Sequence, residues 1–197
     1  MQKIFSNPQD LPCLTPLGFM KTKVPSDLWE MIEDSYNVLK QLPPEEESFE
    51  DLNPKYKDNS HSELFNLKQL ESIAYYIIEE LKDVHEWWCK ESLTPSTIWG
   101  IRSYKTNANM DNHKDWVDSH HISSIITVDK DLNGANDWPL YFQAHNGQWH
   151  KVYTEPGDMI LYESAKCEHG RPEPFQGNYF RNLFMHYRLK DWQFFPV

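Results

Sequence analysis

Cysteine is scarce in this chain. Three residues, Cys13, Cys89 and Cys167, form no Cys-x-x-Cys pair and cannot all be paired. That argues against a disulfide framework and a thiolate zinc site, and fits a protein kept reduced inside a cell. Long apolar runs are also missing. No stretch approaches the roughly 20 apolar residues that span a bilayer. The opening Met-Gln-Lys-Ile-Phe-Ser-Asn-Pro lacks the apolar core of a signal peptide. The expectation is a soluble, cytoplasmic protein with no membrane partner. Positive charge is outnumbered, with Lys+Arg 19 against Asp+Glu 30 and a formal net charge of -11. Phosphate backbones require local cation density, so nucleic acid is not the expected partner. A small basic pocket for a dianion stays compatible with that balance. Repeats and low-complexity segments are absent, and no Gly-x-Ser-x-Gly nucleophile signature occurs.

What is present fits one domain. The 197 residues include Trp 8, Tyr 10 and Phe 10, enough aromatic bulk for a real core. Phe19 to Val24 reads as an edge strand. Pro25-Ser26 opens a helix that Ser26 or Asp27 can cap, with Leu28, Ile32, Tyr36 and Leu39 at helical spacing and Pro43-Pro44 as its stop. The acidic stretch 45–60 reads as a solvated loop. Leu64 to about Lys90 is the strongest helical pattern, its stripe formed by Leu70, Ile73, Ile77, Leu81 and Val84. Trp87 and Trp88 are expected where this helix meets a sheet. From Thr94 the pattern changes to short strands: 98–104, 122–128, 138–143, 149–153, 159–162 and 179–187, punctuated by Asn133-Gly134, Asn146-Gly147, Pro156-Gly157 and Gln176-Gly177. The fold class expected is mainly β with N-terminal helices, a jelly roll braced by two helices. The whole chain, 1–197, is one domain, with 1–93 as helical support and 94–197 as the catalytic core.

The chemistry concentrates at His113-Lys114-Asp115 and at His169, 54 residues after Asp115. Residues two apart on an extended segment point the same way, so His113 and Asp115 can reach one metal. Two imidazoles and one carboxylate suit Fe(II) or Mn(II) and leave coordination positions open for a co-substrate and oxygen. His169 closes the strand that begins at Gly157-Asp158 and supplies the third ligand from a distance. His120-His121 is the rival pair, ranked lower because no carboxylate is spaced to complete its set. An open iron site needs an electron source, and a 2-oxo acid can chelate the metal while an arginine holds its far carboxylate. Arg171 and Arg181 are the two candidates, and Tyr104 can add a hydroxyl hydrogen bond.

In order, Tyr104-x8-His113-x-Asp115, Ile122-Ser-Ser-Ile-Ile-Thr-Val, Pro156-Gly-Asp-Met-Ile-Leu-Tyr-Glu-Ser, His169-Gly-Arg-Pro and Phe184-Met-His-Tyr resemble the 2-oxoglutarate/Fe(II)-dependent dioxygenases, in their prolyl 4-hydroxylase-like branch. The likeness covers roughly residues 97–190. It implies a double-stranded β-helix holding Fe(II) through His113, Asp115 and His169, with 2-oxoglutarate as co-substrate and ascorbate as reductant. It implies oxidative decarboxylation to succinate and CO2 coupled to hydroxylation of a C–H bond, with Tyr104 on the 2-oxoglutarate tail. Prolyl hydroxylases place a basic residue nine or ten positions after the distal histidine; here those positions are Asn178 and Tyr179. Arg181 comes slightly late. The His169-Gly-Arg-Pro form resembles a subgroup in which the arginine after His-Gly takes the anchoring role, so both arginines stay open.

Three functions compete: a hydroxylase of a prolyl or other peptidyl residue, a hydroxylase of a free amino acid or small metabolite, and a non-catalytic metal- or sugar-binding jelly roll. The intact ligand set argues against the third. Trp116, Trp138, Tyr141 and Trp149 are candidates for a peptide groove, with core packing the more frequent role of such aromatics. Cys167, although near His169, reads as a barrel residue rather than a nucleophile.

Overall fold

The computed structural model describes residues 3–5, 10–46 and 62–194. In chain order the elements are β1 (Lys3–Phe5), β2 (Phe19–Lys23), α1 (Ser26–Leu39), β3 (Glu45–Glu46), β4 (Ser62–Asn66), a 3-10 turn (Leu67–Leu70), α2 (Glu71–Cys89), β5 (Leu93–Lys105), β6 (Met110–His113), β7 (Ile122–Asp131), β8 (Leu140–Gln143), β9 (Trp149–Val152), β10 (Asp158–Tyr162), β11 (His169–Arg171), β12 (Tyr179–Leu189) and β13 (Trp192–Phe194). A seven-stranded sheet has the order β2-β10-β7-β12-β5-β4-β3, and a four-stranded sheet the order β6-β11-β8-β9. Pairing within both is antiparallel, and among the described residues only the small β1–β13 pair is parallel. Among the described residues no helix is long and apolar enough to cross a membrane.

The two sheets face each other. Ile125 of β7 and Ile160 and Tyr162 of β10 share a buried cluster with Leu140 and Phe142 of β8. Tyr104 of β5 and Phe180 of β12 join Trp138 and Phe175 in a second. The opposite face of the large sheet carries the main core. There Ile126, Met159, Leu183, Met185 and Tyr187 pack with Leu28, Ile32 and Tyr36 of α1 and Ile77 and Leu81 of α2. The period of two along β12 therefore sends its side chains to two different interiors. Leu81 is wholly buried, and truncating such a leucine costs about 2–5 kcal/mol.

The helices differ from the sequence expectation at their ends. Neither Ser26 nor Asp27 caps α1: the cap position is Pro25, with no side-chain cap bond, and the Trp29 amide donates to the Pro25 carbonyl at 2.8 Å. The second helix starts at Glu71, not Leu64, because Ser62–Asn66 is recruited as a strand against β5, with Phe65 opposite Ile101. The Asn66 side chain then accepts from the Lys68 amide and starts the 3-10 turn. Trp88 packs against the core, but Trp87 is 62% exposed under the Lys90 ammonium and does not meet a sheet. Glu45 and Glu46 pair with β4 instead of lying in a loop, and from residue 47 to 61 the expected loop falls outside the described residues. The first 93 residues thus contribute strands to the large sheet as well as two helices.

An N-terminal segment is strapped across the turn before β11. The buried Glu163 carboxylate accepts from the Leu14 and Thr15 amides at 3.0 and 2.8 Å and from the Thr15 hydroxyl at 2.7 Å. Lys166 reaches the Leu11 carbonyl from the same turn. This strap fixes the approach to His169.

Candidate metal centre

His113 ends β6 and His169 begins β11, and the two are direct partners across the small sheet. Gly170 permits that approach, since a Cβ there would lie 2.7 Å from Asn112 Oδ1 and 2.8 Å from the Asp111 carbonyl oxygen. Asp115 follows β6, its amide donating to the Ser164 carbonyl at 2.9 Å. His113, Asp115 and His169 bring one ligand atom each within 4.8 Å of one another. The Asp115 Oδ1 atom lies 3.5 Å from His113 Nε2 and 3.7 Å from His169 Nε2.

The hydrogen bonds behind the imidazoles fix which nitrogen carries the hydrogen. His113 Nδ1 meets the Asp111 carbonyl at 2.8 Å, and His169 Nδ1 meets the Cys167 carbonyl at 3.0 Å. A carbonyl only accepts, so both Nδ1 atoms carry hydrogen and donate. Both Nε2 atoms then hold lone pairs aimed at one point, the outer-sphere arrangement that orients histidine ligands. Burial holds His169 at about 4, so it is neutral at physiological pH. Burial alone would push the Asp115 carboxyl up, but His169, His113 and His186 around it outweigh that and hold it well below the usual carboxylate range. Its Oδ2 is buried with no hydrogen-bond partner. An ionised carboxylate with one oxygen beside two imidazole lone pairs, and the other oxygen buried without a hydrogen-bond partner, is a donor set that fits a divalent metal. Phe142 stacks on the His169 ring and the Tyr162 ring meets it edge-on at 4.7 Å, which fixes its plane.

The two arginines have different surroundings. Arg171 lies two residues along β11 from His169, on the same side of the strand, and is 2% exposed. Its guanidinium sits 4.5 Å from the ring centres of both Trp138 and Phe180 and donates to the Trp138 carbonyl. Its Nη2 is buried with no partner. Burial lowers it to about 10, which leaves it charged, with Tyr104 acting on it electrostatically. Tyr104 is itself buried, with its ring edge-on to Trp138. Arg181 points to the helix side. It bonds the Ser103 hydroxyl at 3.1 Å, the Tyr36 hydroxyl and Asp129, and lies 3.8 Å over the Tyr179 ring.

The remaining candidates divide the same way. His121 is buried and accepts from the Leu189 amide, while His120 lies against His186 with ring centres 3.8 Å apart and planes tilted by 43°. Neither joins the three-residue group. Trp138 is buried, Tyr141 donates to Glu173, and Trp116 and Trp149 are exposed. Cys167 is buried, and burial pushes its thiol up to about 12, so it is no nucleophile. Two inward residues had no assigned role. Arg102 lies over the Phe184 ring at 5.0 Å with Nη1 3.4 Å from the Tyr104 hydroxyl. His186 lies with Nδ1 3.9 Å from Asp115 Oδ2. The signal for His186 was the alternation of β12, which puts it in phase with Phe180 and Phe184.

No protein-family model matches the sequence, and no curated protein matches it. The likeness is structural. The fold is that of the 2-oxoglutarate/Fe(II)-dependent oxygenases, in the form that prolyl hydroxylases share. A 2OG-Fe(II) oxygenase family oxidoreductase from Burkholderia pseudomallei superposes with a TM-score of 0.62 at 11% identity, over 88% of this chain and 85% of that one. HygX from Streptomyces hygroscopicus, solved with nickel, 2-oxoglutarate and hygromycin B, gives 0.61 at 10% identity over 89% and 84%. A prolyl hydroxylase from Trichoplax adhaerens, in complex with a hypoxia inducible factor peptide fragment, gives 0.56 at 11% identity over 86% and 83%.

Proposed function

We propose that this protein is an Fe(II)- and 2-oxoglutarate-dependent dioxygenase that hydroxylates a C–H bond of a peptide or a small polar metabolite, releasing succinate and CO2. The two facing sheets form its double-stranded β-helix, braced by α1 and α2. The observation that carries the reading is one interior holding two complementary groups: the Asp115 carboxylate, with Oδ1 beside two imidazole nitrogens and Oδ2 buried without a hydrogen-bond partner, and the Arg171 guanidinium, whose buried Nη2 has no partner. Fe(II) supplies, when bound, the centre where a chelated 2-oxo acid and oxygen react.

The chain's own residues do the rest. His113, Asp115 and His169 would hold the metal, a three-ligand set that leaves it able to take exchangeable ligands. Arg171 Nη2, with the Tyr104 hydroxyl, takes the far carboxylate of the dianion; a charge-assisted bond in that aromatic enclosure is short and directional. Trp138, Phe175 and Phe180 exclude water around that carboxylate. Arg181 is left with the structural task of joining β12 to α1. The neighbours accept either a peptide or a small molecule, and both substrate classes stay within the proposal.

Anaerobic addition of Fe(II) and then 2-oxoglutarate to the purified protein tests this. A saturable visible charge-transfer band of a chelated 2-oxo acid, absent in His113→Ala, is the expected result. Iron binding without any such band would overturn the dioxygenase reading in favour of a metal-binding jelly roll.

A further inference from the structure

Beside the metal centre runs a chain of hydroxyls that ends on His186. Ser164 Oγ lies 2.7 Å from the His120 carbonyl, which only accepts, so the Ser164 hydrogen points there. Ser123 Oγ lies 2.6 Å from Ser164 Oγ. With the Ser164 hydrogen already used, Ser123 must donate in that contact, since two lone pairs at this distance would repel. The Ser123 hydrogen is then used as well. Its 2.7 Å contact with His186 Nδ1 therefore requires the imidazole to donate. Three contacts and one obligate acceptor fix the His186 tautomer with hydrogen on Nδ1.

The other nitrogen carries the consequence. His186 Nε2 bonds to no described residue, yet it is not among the buried nitrogens closed off without a partner, as those of His85 and His150 are. The side chain retains 9% exposure, so this lone pair opens onto accessible space, on a ring whose Nδ1 lies 3.9 Å from Asp115 Oδ2. His120 covers one face of the ring at 3.8 Å, and Trp116, 49% exposed, meets His120 at 6.3 Å. Trp116, His120 and His186 form a run of ring contacts, the first edge-on and the second tilted by 43°.

We infer that His186 is a substrate-positioning residue, whose Nε2 lone pair, set by the Ser164–Ser123 relay, receives a hydrogen-bond donor of the substrate. The ligand chemistry selected is a hydroxyl, an amide N–H or an ammonium close to the carbon that reacts. A fully alkylated analogue leaves the acceptor unpaired in a desolvated place, the situation that gives strong discrimination. This inference rests on the dioxygenase reading for the meaning of substrate, but its test does not need turnover.

The experiment uses the full-length, 15N-labelled protein loaded with Zn(II), and follows the histidine ring nitrogens by two-bond 1H–15N correlation. Expected for His186 is a pyrrole-type Nδ1 and a pyridine-type Nε2, unchanged by Zn(II), while His113 and His169 show the metal-bound shift. Titration with formamide, which has N–H donors, should move the Nε2 signal upfield to saturation. N,N-dimethylformamide, which has none, should not. The opposite tautomer, a metal-bound Nε2, or equal indifference to both amides each overturns the inference. Ser123→Ala should release the tautomer into a mixture; the wild-type titration decides even if that variant does not fold. A protein lacking the 2-oxoglutarate band but showing the fixed tautomer refutes the dioxygenase reading alone. A band with the wrong tautomer refutes this inference alone.

Discussion

The guanidinium of Arg171 is enclosed by two aromatic faces with one nitrogen unpartnered, whereas that of Arg181 is engaged by Tyr36, Ser103 and Asp129. Spacing after His169 left the two residues equal; direction separates them. Arg171→Met should raise the dissociation constant for 2-oxoglutarate on the order of 10- to 100-fold, the equivalent of about 1.5–3 kcal/mol for bonds to a charged group. Arg181→Met should leave that constant within about twofold and lower the melting temperature instead. Titrating the charge-transfer band in each variant decides it, and an inverted result would move the anchor to Arg181. His113, Asp115 and His169 were legible because side-chain chemistry and a two-residue spacing survive in one dimension. The His186 tautomer was not, because it depends on a relay from Ser123 and Ser164, residues 41 apart in sequence.

Among elements, sequence reading recovered β2, β5, β7, β8, β9, β10 and β12, where apolar or aromatic residues alternate or run together between turn signals. Those it missed include β3, β4, β6 and β11, which are short or polar and owe their existence to a neighbour. Ser62–Asn66 is extended because β5 offers it an edge, which outweighs the helical pattern just after it. β11 is only His-Gly-Arg, held between β6 and β8. Its middle glycine is a packing requirement, as the crowding at Asn112 and Asp111 shows. Gly170→Ala should push β6 off β11 where His113 faces His169. The expected cost is about tenfold or more in Mn(II) or Fe(II) affinity, roughly 1.4 kcal/mol, measured by competition with a chelator. Unchanged affinity would show that the pairing of these strands does not set the centre.

For the molecule as a whole, acid sensitivity follows from a histidine far from the metal centre. His85 of α2 is wholly buried, its Nδ1 donating to the Leu81 carbonyl at 2.6 Å, its ring against Tyr187 and its Nε2 unpartnered. Burial holds it at about 4, against 6.5 for an ordinary histidine. The unfolded chain therefore takes up a proton near 6.5 that the folded chain refuses until about 4. The stability this contributes is present above that range and drains away as pH falls through it, by about 2 kcal/mol between pH 8 and pH 5. His85→Leu should flatten that share: urea midpoints of wild type and variant should diverge at pH 5 in favour of the variant more than at pH 8. Equal gaps at both pH values would contradict the assignment.

The position of β12 in the large sheet also governs how the molecule is assembled in time. This strand, Tyr179–Leu189, lies between β7 and β5, and its partner residues in both precede it by dozens of residues. Most strand pairs, β8–β9 apart, join residues well separated in sequence, which places the fold among slow folders. During synthesis the ligand pair His113 and Asp115 emerges long before His169, and the sheet that backs them closes only when β12 arrives. A stopped-flow refolding experiment with Zn(II) present from the start should therefore show metal uptake confined to the last, slowest phase.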